Sequence, residues 1–150
     1  MKRAGRGSVL AAALVLAAGC TDPLSQQWSH SLAGAQNRWN SSGIKSYQFT
    51  FQVNCFCAIT QPVTVTVLDT VPVMAVFAAG GAAVDTSLFR DYLTVDRMFA
   101  TLRRAVDHGP ATFDATFSDV GYPLAVSVDP SGNTLDDEYG ISITVLTATP

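Results

Sequence analysis

The chain has 150 residues, 48% of them hydrophobic and only 14% charged, with nine basic and twelve acidic residues giving a net charge of −3. One ordinary domain fits this length. An acidic balance argues against nucleic acid, which rewards dense Lys and Arg, and against electrostatic docking on anionic lipid.

The first residues read as an export leader. Lys2, Arg3 and Arg6 precede an uncharged run from Gly7 to Ala18, which ends in Gly19-Cys20. A basic head, a short apolar run and small residues form a secretory signal peptide. The run is shorter than the ~20 apolar residues of a membrane-spanning helix. Leu16-Ala17-Ala18-Gly19-Cys20 resembles the lipobox of bacterial lipoproteins, in which cleavage falls before the cysteine and its thiol takes a diacylglycerol. Alanine stands three before the cysteine, where leucine is commoner. The expected division is a leader over 1–19, a lipidated Cys20 with a short tether to 23, and one domain over 24–150. Loss of the leader removes three basic residues and no acidic one, so six basic residues face twelve acidic ones and the mature charge becomes −6. Thr21, Asp22 and Pro23 would reach about 10 Å at ~3.5 Å per residue, which holds the domain near the bilayer. Two or three acyl chains suffice for stable anchoring. Thr21 after the cysteine, by the known sorting pattern, favours the periplasmic face of the outer membrane in a two-membrane bacterium.

Leu24, Trp28, Leu32, Ala35 and Trp39 lie on one face of a helix, with Ser42-Gly43 as its stop. Tyr47, Phe49, Phe51 and Val53 alternate with Gln48, Thr50, Gln52 and Asn54, which predicts a half-buried strand. Val63, Val65 and Val67 predict a second strand, and Asp69-Thr70 a turn into a third over 71–78. Pro72 in that third strand points to an edge or a strand start.

The Gly80-Gly81 loop lacks the Lys-Ser or Lys-Thr of a phosphate loop. Leu88, Phe89, Tyr92 and Leu93 predict a short helical turn. Thr94 is the expected N-cap of a second helix, with Val95, Met98, Phe99, Leu102 and Val106 as its apolar stripe and Gly109-Pro110 as its end. Three more strands are expected over 112–118, 124–129 and 139–147. The predicted class is α+β: an antiparallel sheet of about six strands, two helices on one face, in the order helix-βββ-helix-βββ. Trp28, Trp39, Phe99, Phe49 and Phe51 are the expected aromatic core. The recurring order, and the echo of Tyr47-x-Phe49-x-Phe51 in Phe113-x-Ala115-x-Phe117, read as a weak internal duplication.

The chain resembles a family of small bacterial secreted or lipid-anchored proteins known as domain of unknown function 6174. Trp39, Gly43-Ile44-Lys45-Ser46-Tyr47, Cys55-Phe56-Cys57, Leu93 to Phe99, Gly121-Tyr122-Pro123, Asp129 and Asp136-Asp137-Glu138 carry the resemblance over about residues 36–145. Family members often have Asp-Gly where this chain has Asp69-Thr70. The family implies a fold and an exported location, and no activity. At the level of fold the layout is also similar to PepSY-like and β-lactamase-inhibitor-like modules, which act by binding.

Cys55-Phe56-Cys57 is the sharpest local feature. It reads as a disulfide or a buried thiol pair, with a redox pair or a soft-metal site for copper(I) or zinc as the other readings. In an exported protein with Cys20 consumed by lipid, a Cys55–Cys57 disulfide is expected. On an ideal strand these residues lie about 6.6–6.8 Å apart, the far edge of the disulfide range, so the bond requires a bend at Phe56. Asp129, Asp136, Asp137 and Glu138 bracket a polar loop whose oxygens are candidate ligands for Ca²⁺, although Thr134 and Gly140 depart from the EF-hand spacing. A solvated hairpin is the competing reading. His30 falls off the apolar stripe and reads as a surface residue, and His108 answers the negative end of the second helix. Tyr122 is expected to pack over its turn, and Arg97, Arg103 and Arg104 to form a wet helix face. No hydrolase, zinc-protease or dinucleotide motif is present. The expected function is a lipid-anchored envelope module that binds an envelope protein or a small ligand, without cofactor and without catalysis. The alternative is a thiol-redox or metal-handling protein using Cys55 and Cys57.

Overall fold

The computed structural model describes residues 23–57, 60–134 and 136–149. The leader, Cys20 and the tether through Asp22 lie outside the described residues. The element order is α1 (Pro23–Ser42), β1 (Tyr47–Cys55), β2 (Val63–Leu68), β3 (Val71–Phe77), a 3-10 helix (Thr86–Tyr92), α2 (Val95–Asp107), β4 (Thr112–Phe117), β5 (Pro123–Asp129) and β6 (Tyr139–Ala148). The six strands form one sheet in the order β3-β2-β1-β6-β5-β4, every pair antiparallel. The α+β class and the helix-βββ-helix-βββ order are as the sequence predicts.

Each half of the chain makes its own three-stranded meander, and the two meanders join where β1 pairs with β6. That ladder runs from Tyr47 opposite Ala148 to Cys55 opposite Tyr139. The arrangement corrects the reading of an internal duplication. Repeat-related strands would be β1 with β4 and β3 with β6. In the sheet β1 is central and β4 is an edge, whereas β3 is an edge and β6 is central. A two-fold axis through the middle would exchange β1 with β6 instead.

Alternation sets the two faces. Tyr47, Phe49, Phe51 and Val53 on β1 are buried, as are Val63, Val65 and Val67 on β2, Val126 and Val128 on β5, and Ile141 and Ile143 on β6. Both helices pack on this face. Met98, Phe99 and Leu102 on α2 are fully buried, as are Leu32 and Ala35 on α1. Tyr47, Phe49 and Phe51 make a chain of ring contacts down β1, with centroids 5.7 and 5.8 Å apart. Trp39 meets Tyr47 edge-on, and Phe99 stacks on Phe117. Trp28 is only half-buried against Phe113, and Leu24 is exposed, so the first turns of α1 extend past the core.

Caps and turns explain the boundaries. Thr94 Oγ1 accepts the Arg97 N–H at 3.1 Å, the N-cap bond expected for α2. Tyr47 Oη accepts the Val95 N–H at 3.0 Å, so a core side chain satisfies a further first-turn donor. At the other end His108 Nδ1 lies 2.6 Å from the Arg104 carbonyl, matching the expected answer to the helix terminus. Gly121 is buried with φ +106°, and a Cβ there would lie 2.2 Å from the Ala35 carbonyl oxygen and 2.6 Å from the Trp39 nitrogen. Only glycine lets the β4–β5 turn approach the α1 backbone this closely. Tyr122 then packs its ring edge-on against Trp39.

Candidate interaction surface

Strand alternation that buries the aromatic rows turns an equal number of side chains to the opposite face. Among the described residues no helix covers that side. Gln48, Thr50, Gln52 and Asn54 on β1 stand beside Thr64 and Thr66 on β2 and beside Ser142, Val145 and Thr147 on β6. Thr50 and Thr64 hydroxyls are 2.9 Å apart, and Gln48 Nε2 donates to Thr66 Oγ1 at 3.2 Å. These cross-strand bonds hold the polar side chains flat against the sheet. On the four adjacent strands β3, β2, β1 and β6 no Asp, Glu, Lys or Arg faces outward among the described residues. The charge of the domain lies on the helices and loops, with Asp114 on β4 and Asp129 at the end of β5 as the outward acids.

One corner of the face is apolar. Leu68 pairs with Val71 across the β2–β3 hairpin, and Met74 lies opposite Thr66. All three are about half exposed, and Val145 opposite Thr50 is 59% exposed. The Asp69-Thr70 turn closing this corner has positive φ at both residues, 46° and 70°. That geometry belongs to a two-residue hairpin of primed type, which ordinarily takes glycine second. Sequence reading placed the strands but did not single out this face. Its signal is the run of uncharged polar residues, Gln48, Thr50, Gln52 and Asn54 with Thr64 and Thr66, at the outward positions of two adjacent strands.

The β3 edge is closed to further pairing. Pro72 supplies no N–H, Val73 is an extra residue where the β2–β3 register shifts, and residues 82–84 fold back along the strand. Phe77 N donates to the Ala82 carbonyl and Val84 N to the Ala75 carbonyl. Pro72 therefore marks an edge, as expected.

At the far end of β1 the chain bends after Cys55. Cys55 and Cys57 are disulfide-bonded with Cα atoms 5.2 Å apart, well inside the separation of an extended strand. The bond ends the ladder and presents Phe56, 85% exposed, at the tip. The pair is thus a closed disulfide at the rim of the sheet.

The acidic loop between β5 and β6 brings together three of its four candidate acids. Asp129, Asp137 and Glu138 can place carboxylate oxygens within 4.8 Å of one another. Asp136, the fourth candidate, lies outside that cluster, on a left-handed turn residue with φ 68°. Asp129 Oδ1 accepts the Ser131 and Gly132 N–H groups at 3.1 and 2.7 Å, and Asp137 Oδ2 accepts the Ser131 hydroxyl at 2.7 Å. These bonds fold the hairpin. Three carboxylates supply only part of the six to eight oxygens that Ca²⁺ takes.

Two clefts on the helix side enclose 80 and 130 Å³. The smaller is lined by Ala105, His108, Pro110 and Tyr139, and the larger lies between α1 and α2 beside the Arg103–Gln36 hydrogen bond. Both fall below the about 300–1,000 Å³ typical of small-molecule sites. His30 is exposed on α1, so the two histidines stand on separate helices. Arg104 pairs with Asp91 at 3.3 Å, both exposed, and Arg97 reaches the Arg90 carbonyl. The arginines thus form a solvated face. Burial pushes the Tyr47 phenol up to about 12, and raises Tyr92 and Tyr139 in the same direction. All three stay protonated at neutral pH.

A family model covers residues 31–148, nearly the whole described domain. The chain belongs to the family of unknown function DUF6174. No curated protein and no solved structure matches the chain. The expected fold-level similarity to PepSY-like and β-lactamase-inhibitor-like modules is therefore not confirmed. Membership of DUF6174 brings no activity with it, so function must be argued from the surface. No helix among the described residues is long and apolar enough to cross a membrane.

Proposed function

We propose that this DUF6174 protein is a lipid-anchored module of the bacterial cell envelope that acts by binding an envelope protein across the open face of its sheet. The observation that carries the binding role is the uncovered, charge-free stretch from β3 to β6, with its apolar corner of Leu68, Val71 and Met74. A protein surface avoids exposed apolar groups in clusters unless they meet something. Threonine and glutamine rows already bonded to one another lose little conformational freedom on docking. The envelope location draws on the basic head, the apolar run and Cys20 of the leader. Lipid on Cys20 would supply the membrane attachment that an acidic domain cannot supply by charge.

Two experiments test the two halves. Intact-mass analysis of the membrane fraction should find a diacylglyceryl group on the mature chain, and Cys20→Ala should release the protein. An unmodified wild-type chain would refute the anchor. A photo-cross-linker at Thr64 or Thr147 should capture a defined envelope protein, while one at Arg103 on the helix face should not. Equal capture from both faces would refute the binding surface. A thiol-redox role is the second reading, favoured by the exposure of Cys57 and Phe56 at the sheet rim. It requires the disulfide to be reduced at envelope potentials, which redox titration with thiol trapping measures.

A further inference from the structure

The two edges of the sheet are treated differently. β3 is guarded by a proline, an extra residue and a folded-back segment. β4 carries neither proline nor lysine, and among the described residues no strand pairs with its outer side. Its backbone polarity follows from the ladder. Ser118 N donates to the Tyr122 carbonyl, so the groups of Ser118 face β5. Alternation then turns Thr116, Asp114 and Thr112 toward β5 as well. The N–H and C=O groups of Phe113, Ala115 and Phe117 point away from the sheet. An open edge of this kind is a template for another strand.

The sequence of the edge selects the occupant. Phe113-Asp114-Ala115-Thr116-Phe117 reads nearly the same in both directions about Ala115. We propose that β4 pairs antiparallel with β4 of a second copy of this chain, Ala115 opposite Ala115, to make a continuous twelve-stranded sheet. A two-fold axis through Ala115 requires such a self-complementary patch. In this register the three outward-pointing residues of each copy meet one another, so every free backbone group from 113 to 117 gains a partner. Phe113 lies opposite Phe117 of the second copy on the helix side, extending the aromatic rows across the seam. On the outer side each Asp114 carboxylate faces a Thr116 hydroxyl. A shift by one residue in either strand would direct outward backbone groups against inward ones. A shift by two in one direction places Asp114 against Asp114, which like-charge repulsion disfavours. In the other direction it sets Thr116 against Thr116 and moves Phe113 opposite Asp119, beyond the strand, so the Phe113–Phe117 pairs are lost. Both helix layers stay on one side, and the open outer face of each copy becomes half of a larger one.

Sedimentation equilibrium on the purified full chain should show a concentration-dependent dimer. Ala115→Pro removes the central outward N–H, at an edge position where a monomer tolerates proline. It should weaken the dimer about tenfold or more while leaving a cooperative thermal melt. Thr116→Asp sets two carboxylates opposite one another at each end of the seam, on an exposed site whose one side-chain bond, to the Ala125 carbonyl, is long at 3.4 Å, and a retained thermal melt shows that the monomer stays folded. It should also weaken the dimer. Adding Asp114→Lys to Thr116→Asp should restore it, because lysine then faces aspartate across the seam. A chain that stays monomeric at millimolar concentration overturns the proposal. So does a dimer indifferent to both single substitutions, or a double variant that dimerises no better than Thr116→Asp alone.

Discussion

Replacing Gly121 by alanine tests how the β4–β5 turn is locked to α1. The new Cβ would start 2.2 Å from the Ala35 carbonyl oxygen, and must retreat by about 0.8 Å to reach even the 3.0 Å that real Cβ contacts respect. Its neighbours are helix backbone, which cannot rotate aside as a side chain would. Overpacking of a fitted interior costs about 1–3 kcal/mol. A left-handed φ adds roughly 1–2 kcal/mol for any residue with a Cβ. Alanine also restricts the unfolded chain, which returns about 0.4–1 kcal/mol. The net expectation is a loss of about 2–4 kcal/mol, or ~6–15 °C in Tm for a domain of this size. Urea unfolding followed by tryptophan fluorescence measures it, since Trp39 touches both the turn and Tyr122. Gly81→Ala is the control. Its φ is also positive, at 68°, but nothing lies within 4 Å of the added Cβ. Equal losses at the two sites would show that backbone conformation alone sets the cost, and would refute the close-contact argument.

Thr70→Gly should stabilise the domain by about 0.5–1 kcal/mol in denaturant titration, since relief of the left-handed strain exceeds the entropy that glycine adds to the unfolded chain. Tyr47→Phe should cost about 1–3 kcal/mol, because it leaves the buried Val95 N–H without its acceptor. Phe49→Ala, at a site 1% exposed, should cost about 3–5 kcal/mol. Stability against pH should hold up to the ordinary tyrosine range near pH 10. It should then fall toward pH 12, because the unfolded chain releases the Tyr47 proton while the folded one, pushed up to about 12, retains it. Ultraviolet titration of tyrosinate alongside circular dichroism follows both events. Denatured, unreduced protein should show neither Cys55 nor Cys57 reactive to a thiol label; reaction of both would refute the disulfide.

Much of the fold was legible because burial here obeys simple periods. Tyr47, Phe49 and Phe51 alternate without interruption, and the α2 stripe from Val95 to Val106 is buried throughout. Thr94 and Gly109 marked that helix because capping is local chemistry. The internal duplication misled because element order carries no information about which strands become neighbours. Pairing β1 with β6 is a long-range choice. It brings the longest strands of the two meanders to the centre, where both edges of each can be satisfied. Trp28 and Leu24 continued the periodic stripe of α1, but periodicity does not report where the sheet beneath a helix ends.

The surface was less legible for a related reason. Apolar residues announce a core because water excludes them, whereas polar strand positions look alike whether they face bulk solvent or a partner. Thr64 and Gln48 give no sign in sequence that they belong to one uncovered face; only the register that sets Gln48 opposite Thr66 and Thr147 assembles it. The edges show the same dependence. Pro72 was readable as an edge residue by its missing N–H. Phe113 to Phe117 carries no such mark, and its exposure follows from β5 and β6 having taken the interior places. A sheet guarded with a proline, a register shift and a folded-back segment at one edge, and paired with no further strand at the other among the described residues, distinguishes the side where pairing must stop from the side where it can continue.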